Sequence, residues 1–181
     1  MSTPPRSVDP SAPASLRWVW RTFAELSPAE LYAALQLRQR VFVVEQACPY
    51  LDADGWDDRA WHLLGWLDRD ESEGDDAAAP VLGAYTRIFP PGVKYAEASI
   101  GRVVSDPVVR RTGLGRALMH EALRRCADVA PGAGIRIGAQ RYLERFYTTF
   151  GFVTVSPPYM EDGIEHVEMV RAGDATGMNA G

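Results

Sequence analysis

The chain has 181 residues, 46% hydrophobic and 24% charged, with a net charge of −5. A globule of this length buries about 70% of its unfolded surface and needs no staples, and two cysteines, Cys48 and Cys126, make neither a disulfide framework nor a zinc site. The negative balance speaks against bulk binding to nucleic acid or anionic membrane, and no apolar run approaches the ~20 residues of a spanning helix.

The first stretch, MSTPPRSVDPSAPAS, is rich in Pro and Ser and lacks the apolar core of a secretory signal. Residues 1–14 read as a disordered tail, 15–172 as the folded domain and 173–181 as a frayed end. These features together predict a cytoplasmic protein. LRWVWRTF alternates as a strand. Ser27, Pro28 and Glu30 form a capping box with proline at the first helical position, and Leu31, Leu35, Arg38 and Phe42 follow at helical spacing. WHLLGWL and VLGAYTRIF are strands on either side of the acidic connector DRDESEGDDAAAP, so they read as a hairpin.

EASIGRVVS is a strand with Gly101 inside it, a sign of a bulge or a close ligand approach. PVVRRTGLGRALMHEALRRC then opens a helix that runs to about Ala130, where PGAG breaks it. IRIGAQ is a short strand, YLERFYTTF a short helix closed by Gly151, and FVTVS and HVEMVRA are closing strands. The order predicts an α/β fold with a single mixed, mostly antiparallel central sheet flanked by helices and one strand–helix–strand crossover at the glycine loop.

Backbone N–H groups at a helix mouth, with the helix dipole behind them, make an anion site. Gly113 and Gly115 leave room for it, and Arg110, Arg111 and Arg116 add positive charge. The P-loop string Gly-x4-Gly-Lys-Ser/Thr is absent, and Leu118 stands where the dinucleotide fingerprint needs its third glycine. RRTGLG at 110–115 instead resembles the Arg/Gln-x-x-Gly-x-Gly/Ala loop of the GNAT acetyltransferases, and YLERFYTTFGF at 142–152 resembles a second segment of that family. LQLRQRVFVVEQACPYLDADGWD, HLLGW, IGRV, GAQ and EDGIEHVEM extend the resemblance to the ElaA-like subfamily over most of residues 16–171. The acidic insert near 69–79, the tails and a more regular glycine loop depart from it.

The resemblance implies the GNAT (acyl-CoA N-acyltransferase) fold, acetyl-CoA as co-substrate and acetyl transfer to an amine on a small molecule or peptide; the residues themselves call for no metal, and no activating dyad can be read beside Cys48, so transfer is expected to be direct and not through an acetylated cysteine. It implies that Arg110, Arg111, Thr112, Gly113, Leu114, Gly115 and Arg116 hold the pyrophosphate and that Val103, Val104 and Ser105 line the cofactor arm. It makes Tyr147 the general acid toward the leaving thiolate. For the general base, His166 and Glu45 lead, with His62 and Glu97 as rivals, while His120 reads as a surface residue. Cys48 reads as a buried or cleft-wall thiol. DADGWDD does not fit the calcium-loop spacing, so Asp52 and Asp57 are assigned to capping the acceptor side or binding a cationic substrate. The final strands leave room for a homodimer. Two alternatives stand beside this reading: a CoA- or acyl-CoA-binding regulator without catalysis, and an acyltransferase like the acyl-homoserine-lactone synthases, which LRQRVFVVEQ also resembles.

Overall fold

The computed structural model of the protein describes residues 16–68 and 80–173. The predicted N-terminal tail lies outside the described residues, as do the C-terminal end beyond Gly173 and the acidic connector between Asp68 and Pro80. Eight strands form one sheet: β1 Leu16–Thr22, β2 Trp61–Leu67, β3 Val81–Phe89, β4 Ala98–Ser105, β5 Ile135–Gln140, β6 Val153–Thr154, β7 Tyr159–Glu161 and β8 Ile164–Arg171. Their order is β1-β2-β3-β4-β5-β8-β6, with β7 also paired to β8. Every pairing is antiparallel except β4 with β5. The predicted hairpin is β2–β3.

Helix α1 covers Pro28–Arg38 and α2 Leu114–Val129; α3, Glu144–Thr148, is a short third helix. The capping box at Ser27 is formed in both directions, with Glu30 N–H on Ser27 Oγ and Ser27 N–H on Glu30 Oε2. Strand periodicity divides the core between the two sheet faces. Leu63, Ile88, Ile100, Ile137 and Met169 pack with Leu118 and Met119 of α2 and with Phe150 and Phe152. Leu64, Tyr85 and Val104 pack on the opposite side with Leu37 and Val41. Each such side chain contributes about 1.5–3 kcal/mol on burial.

The β7–β8 turn, Asp162–Gly163, has positive φ at both residues (49° and 81°), as a two-residue hairpin with the right-handed twist requires. Pro157 and Pro158 keep β6 and β7 from merging into one edge strand. Ser156 Oγ fills the gap by accepting from Glu168 N–H at 2.8 Å. No helix among the described residues is long and apolar enough to cross a membrane.

Candidate active site

The parallel pairing of β4 with β5 lasts for only two positions, Ala98 with Ile135 and Ser99 with Arg136. Beyond them β4 stays with β3, and β5 pairs along its whole length with β8. The two strands therefore splay, and the facing backbone edges have no strand between them. A cleft of about 680 Å³ opens there. Its lining includes Val103, Val104 and Ser105 on β4, and Ile137, Gly138 and Gln140 on β5. Unpaired strand edges suit a ligand arm that carries its own amides.

Beyond the start of the splay, β4 carries a bulge. Tyr85 pairs with Val104 and Arg87 with Gly101, so Thr86 faces both Arg102 and Val103. The left-handed residue is Arg102, at φ 54°, and not the neighbouring Gly101. A non-glycine residue there needs outside support. It comes from the acidic turn: Arg102 Nε donates to Asp52 Oδ1 at 2.8 Å, and its Nη2 reaches Asp54 Oδ2 at 3.2 Å.

The same turn anchors two further arginines. Arg38 donates to Asp52 at 2.7 Å and to Asp57 at 2.8 Å. Arg87 bonds Asp57 at 2.8 Å and both oxygens of Asp54. Arg38 and Arg87 are both buried. Desolvation pushes the Asp54 and Asp57 carboxyls upward, but the hydrogen bonds and charges of the arginines outweigh it and hold both below the ordinary carboxylate range. This corrects the assignment of Asp52 and Asp57 to a cationic substrate, because their oxygens are taken by the chain's own guanidinium groups. The buried His62 belongs to this network too. Its Nε2 donates to the Asp57 carbonyl at 2.9 Å and its Nδ1 accepts from the Tyr85 hydroxyl at 2.8 Å. Burial lowers its pKa, and with both ring nitrogens held inside the fold His62 has no free nitrogen to offer an incoming amine. Glu97, the other rival, is engaged by Arg136 at 2.8 and 3.2 Å.

At the other end of the cleft stands the glycine loop. Asp106 caps the turn before it, accepting from Val108 N–H at 2.9 Å. Arg111 and Gly113 both take positive φ (66° and 90°), which rotates successive amides before α2 begins at Leu114. Thr112 ties the loop to the Val109 carbonyl at 2.7 Å. The Arg116 and Ala117 amides already bond to the Gly113 carbonyl, so the first-turn amides of Leu114 and Gly115 are the ones aimed outward. A Cβ built on Gly115 would meet nothing within 4 Å. Packing does not require glycine there, and the open space fits an anionic group resting against the backbone. Arg116 lies over the Phe150 ring at 5.9 Å.

A strap crosses the cleft. After α1 the chain widens into a π-helical turn, Gln39–Glu45, closed by the Gln46 amide on the Val41 carbonyl. Such turns are rare and gather at functional sites. Glu45 then takes both nitrogens of Arg110, at 2.6 and 2.9 Å, on the glycine-loop side. Gln46 and Gln140 exchange amide bonds on the β5 side, the shorter at 3.0 Å. Cys48 Sγ donates to the Asp162 carbonyl at 3.3 Å, at the β7–β8 turn. Three successive contacts thus bridge the two walls, and Cys48 is a buried wall thiol.

Tyr147 and His166 both line this cleft. Tyr147 is held by α3 against Phe146 and Phe152, and burial pushes its phenol well above the usual range. It therefore stays protonated at neutral pH. His166 Nδ1 lies 2.9 Å from the Ile164 carbonyl. A carbonyl only accepts, so Nδ1 carries a proton, and in the neutral ring the lone pair is on Nε2. His166 also stacks on Tyr159, with ring centroids 6.0 Å apart.

Residue by residue, Glu45, Val103, Val104, Ser105, Arg110, Tyr147 and His166 share the cleft, while Arg111 to Arg116 form the loop and helix mouth beyond Arg110. His120 is exposed on α2, as expected. Sequence reasoning missed Tyr50, Lys94, Tyr95, Arg102 and Tyr159, which also line it. They come from loops and strands far apart in sequence.

The comparisons agree with this geometry. The model of the acetyltransferase (GNAT) domain matches residues 91–172, which run from just before β4 to the end of β8. The chain is 41% identical over 160 residues to Protein ElaA of Escherichia coli, covering 86% of this chain and 96% of that protein. The chain belongs to the GNAT acetyltransferase family. Within it, an acyl-CoA N-acyltransferase from Pseudomonas aeruginosa has 41% identity and a TM-score of 0.78, over 87% of this chain and 100% of the other. The crystal structure of Escherichia coli ElaA gives 39% identity and a TM-score of 0.74, over 87% and 99%. As a GNAT-family acyltransferase, the chain has its family-model match across the glycine loop, while the strap and acidic turn lie in the part matched only by the full-length relatives.

Proposed function

We propose that the protein transfers the acetyl group of acetyl-CoA directly to a primary amine held in the cleft. The observation that carries this reading is the splay of β4 from β5 ending at an outward-facing helix mouth, in a chain of this family. Acetyl-CoA supplies the activated thioester. The amides around Leu114 and Gly115, with Arg111 and Arg116, hold the pyrophosphate. The cofactor arm runs along β4 at Val103, Val104 and Ser105, where a backbone N–H on the splayed edge donates to the thioester carbonyl.

His166 Nε2 takes the proton of the incoming ammonium, directly or through one water. The neutral amine forms the new C–N bond as the C–S bond breaks, and the second proton that its nitrogen sheds on becoming an amide passes through solvent to restore Tyr147. Tyr147, kept protonated by burial, gives its proton to the departing thiolate. Glu45 has both oxygens on Arg110, which supports a tethering role for it and leaves His166 as the base.

Thiol release from acetyl-CoA over a panel of primary amines tests the reading; binding of acetyl-CoA with no release across the panel would leave a non-catalytic CoA-binding protein. Tyr147→Phe is expected to lower kcat about 100-fold with the acetyl-CoA Kd unchanged. In a second measurement, His166→Gln removes the acidic limb of the kcat/KM profile against pH. The same limb persisting in that variant, and vanishing in Glu45→Gln, would move the base to Glu45.

A further inference from the structure

The chain's 19 basic residues include a single lysine, Lys94, and the fold places it in the cleft. It sits on two ring faces, with Nζ 5.4 Å from the centroid of Trp56 and 5.2 Å from that of Phe89. Its nearest carboxylate oxygen, Asp54 Oδ2, is 4.0 Å away. That oxygen already accepts from Arg87 and from Arg102. Lys94 is thus the one cation of this cluster, among the described residues, without a hydrogen bond.

The charges around it do not balance. Among the described residues, Arg38, Arg87, Lys94 and Arg102 form ion pairs only with the carboxylates of Asp52, Asp54 and Asp57. Glu161, exposed on β7, acts on Lys94 from farther off. Arg87 Nε is buried with no hydrogen-bond partner. Desolvation and the neighbouring arginines push the Lys94 pKa down, the mark of a cation short of compensation. Lys94 and Arg102 keep side-chain exposures of 28% and 23% toward the cleft, and both lie against the same Asp54 oxygen. One carboxylate entering the cleft can accept from both.

We propose that Lys94, together with Arg102, binds a carboxylate of the acceptor, so that the natural acceptor is an amine that also carries a carboxylate, an amino-acid-type zwitterion. This rests on the acetyl-transfer reading above and names its substrate class. The aromatic side chains of Tyr50, Phe89 and Tyr95 line the same part of the cleft and suit the carbon skeleton of such an acceptor.

The single lysine makes the test direct. Protein produced with lysine labelled at 13Cε gives one lysine resonance. It is titrated, with CoA present, with each of the protein amino acids and with the amines left when the carboxylate is removed, such as cadaverine for lysine and phenethylamine for phenylalanine. At least one amino acid should shift the resonance to saturation while its decarboxylated partner does not. No response to any amino acid, or an equal response to the matched amine, overturns the proposal. In turnover, Lys94→Met should raise the KM of the responding amino acid at least about tenfold, with kcat changed by less than about twofold and acetyl-CoA binding retained as the check on folding. Lys94→Arg should restore it, and an unchanged KM in Lys94→Met overturns the assignment. Binding without thiol release would sink acetyl transfer and leave the carboxylate site, whereas release with no carboxylate preference would sink only this inference.

Discussion

Gly115→Leu is expected to weaken acetyl-CoA binding by about 100-fold or more, roughly 2.7 kcal/mol, without loss of stability. The two effects separate because of what surrounds the position. Gly115 is in the first turn of α2, and a Cβ there would touch nothing within 4 Å. The fold therefore accepts a side chain, and replacing a helical glycine by leucine even gains about 0.8 kcal/mol of propensity. Only a ligand resting on the backbone needs that space. Calorimetric titration with acetyl-CoA beside a thermal melt reads both quantities. A variant that binds normally would place the pyrophosphate elsewhere. One that merely unfolds would mean that the open space is needed by the fold.

Asp57→Ala is expected to destabilise the protein by about 3–5 kcal/mol, the cost of leaving buried charge unpaired. For a domain of this size that lowers Tm by roughly 10 °C. Asp57 Oδ1 accepts from both Arg38 and Arg87 at 2.8 Å, and both arginine side chains are 1% exposed. Asp58→Ala, one residue along and exposed, should change stability by less than about 0.5 kcal/mol. The pH dependence has a definite sign. Asp54 and Asp57 have folded-state pKa values below their unfolded ones. Their contribution is complete above the unfolded value of about 3.9 and is lost as pH falls through the folded values. Urea midpoints should therefore hold steady above about pH 5 and fall more steeply below pH 4 in the wild type than in Asp57→Ala. Parallel curves for the two proteins would contradict this.

Local patterns carried much of the fold. The capping box at Ser27, the β2–β3 hairpin and the glycine loop before α2 each lie within a short window, and each formed as its residues predict. The widened turn over Gln39–Glu45 was not legible, since its apolar spacing matches an ordinary helix. The splay of β4 from β5 was not legible either, because it follows from which strand each keeps as a partner. The bulge shows the boundary well. Gly101 signalled it, but the strained residue is Arg102, held by Asp52 from 50 positions away. Reading Asp52 and Asp57 as open to a cationic substrate failed for the same reason, since no local feature reveals three distant arginines converging on the turn. The glycine loop and the cleft-lining Tyr147 and His166 were found through family-like segments. The cleft wall around Lys94 is assembled from residues too far apart in sequence to be grouped, although the lone lysine was there to be counted.

The central claim is that the β4–β5 splay and the mouth of α2 together hold acetyl-CoA. Backbone hydrogen exchange, followed by NMR with and without acetyl-CoA, tests it most directly. Protection is predicted at two separated runs, residues 103–105 and 113–116, with little change along β1 and β2. Protection absent from either run, or concentrated away from both, would contradict the account.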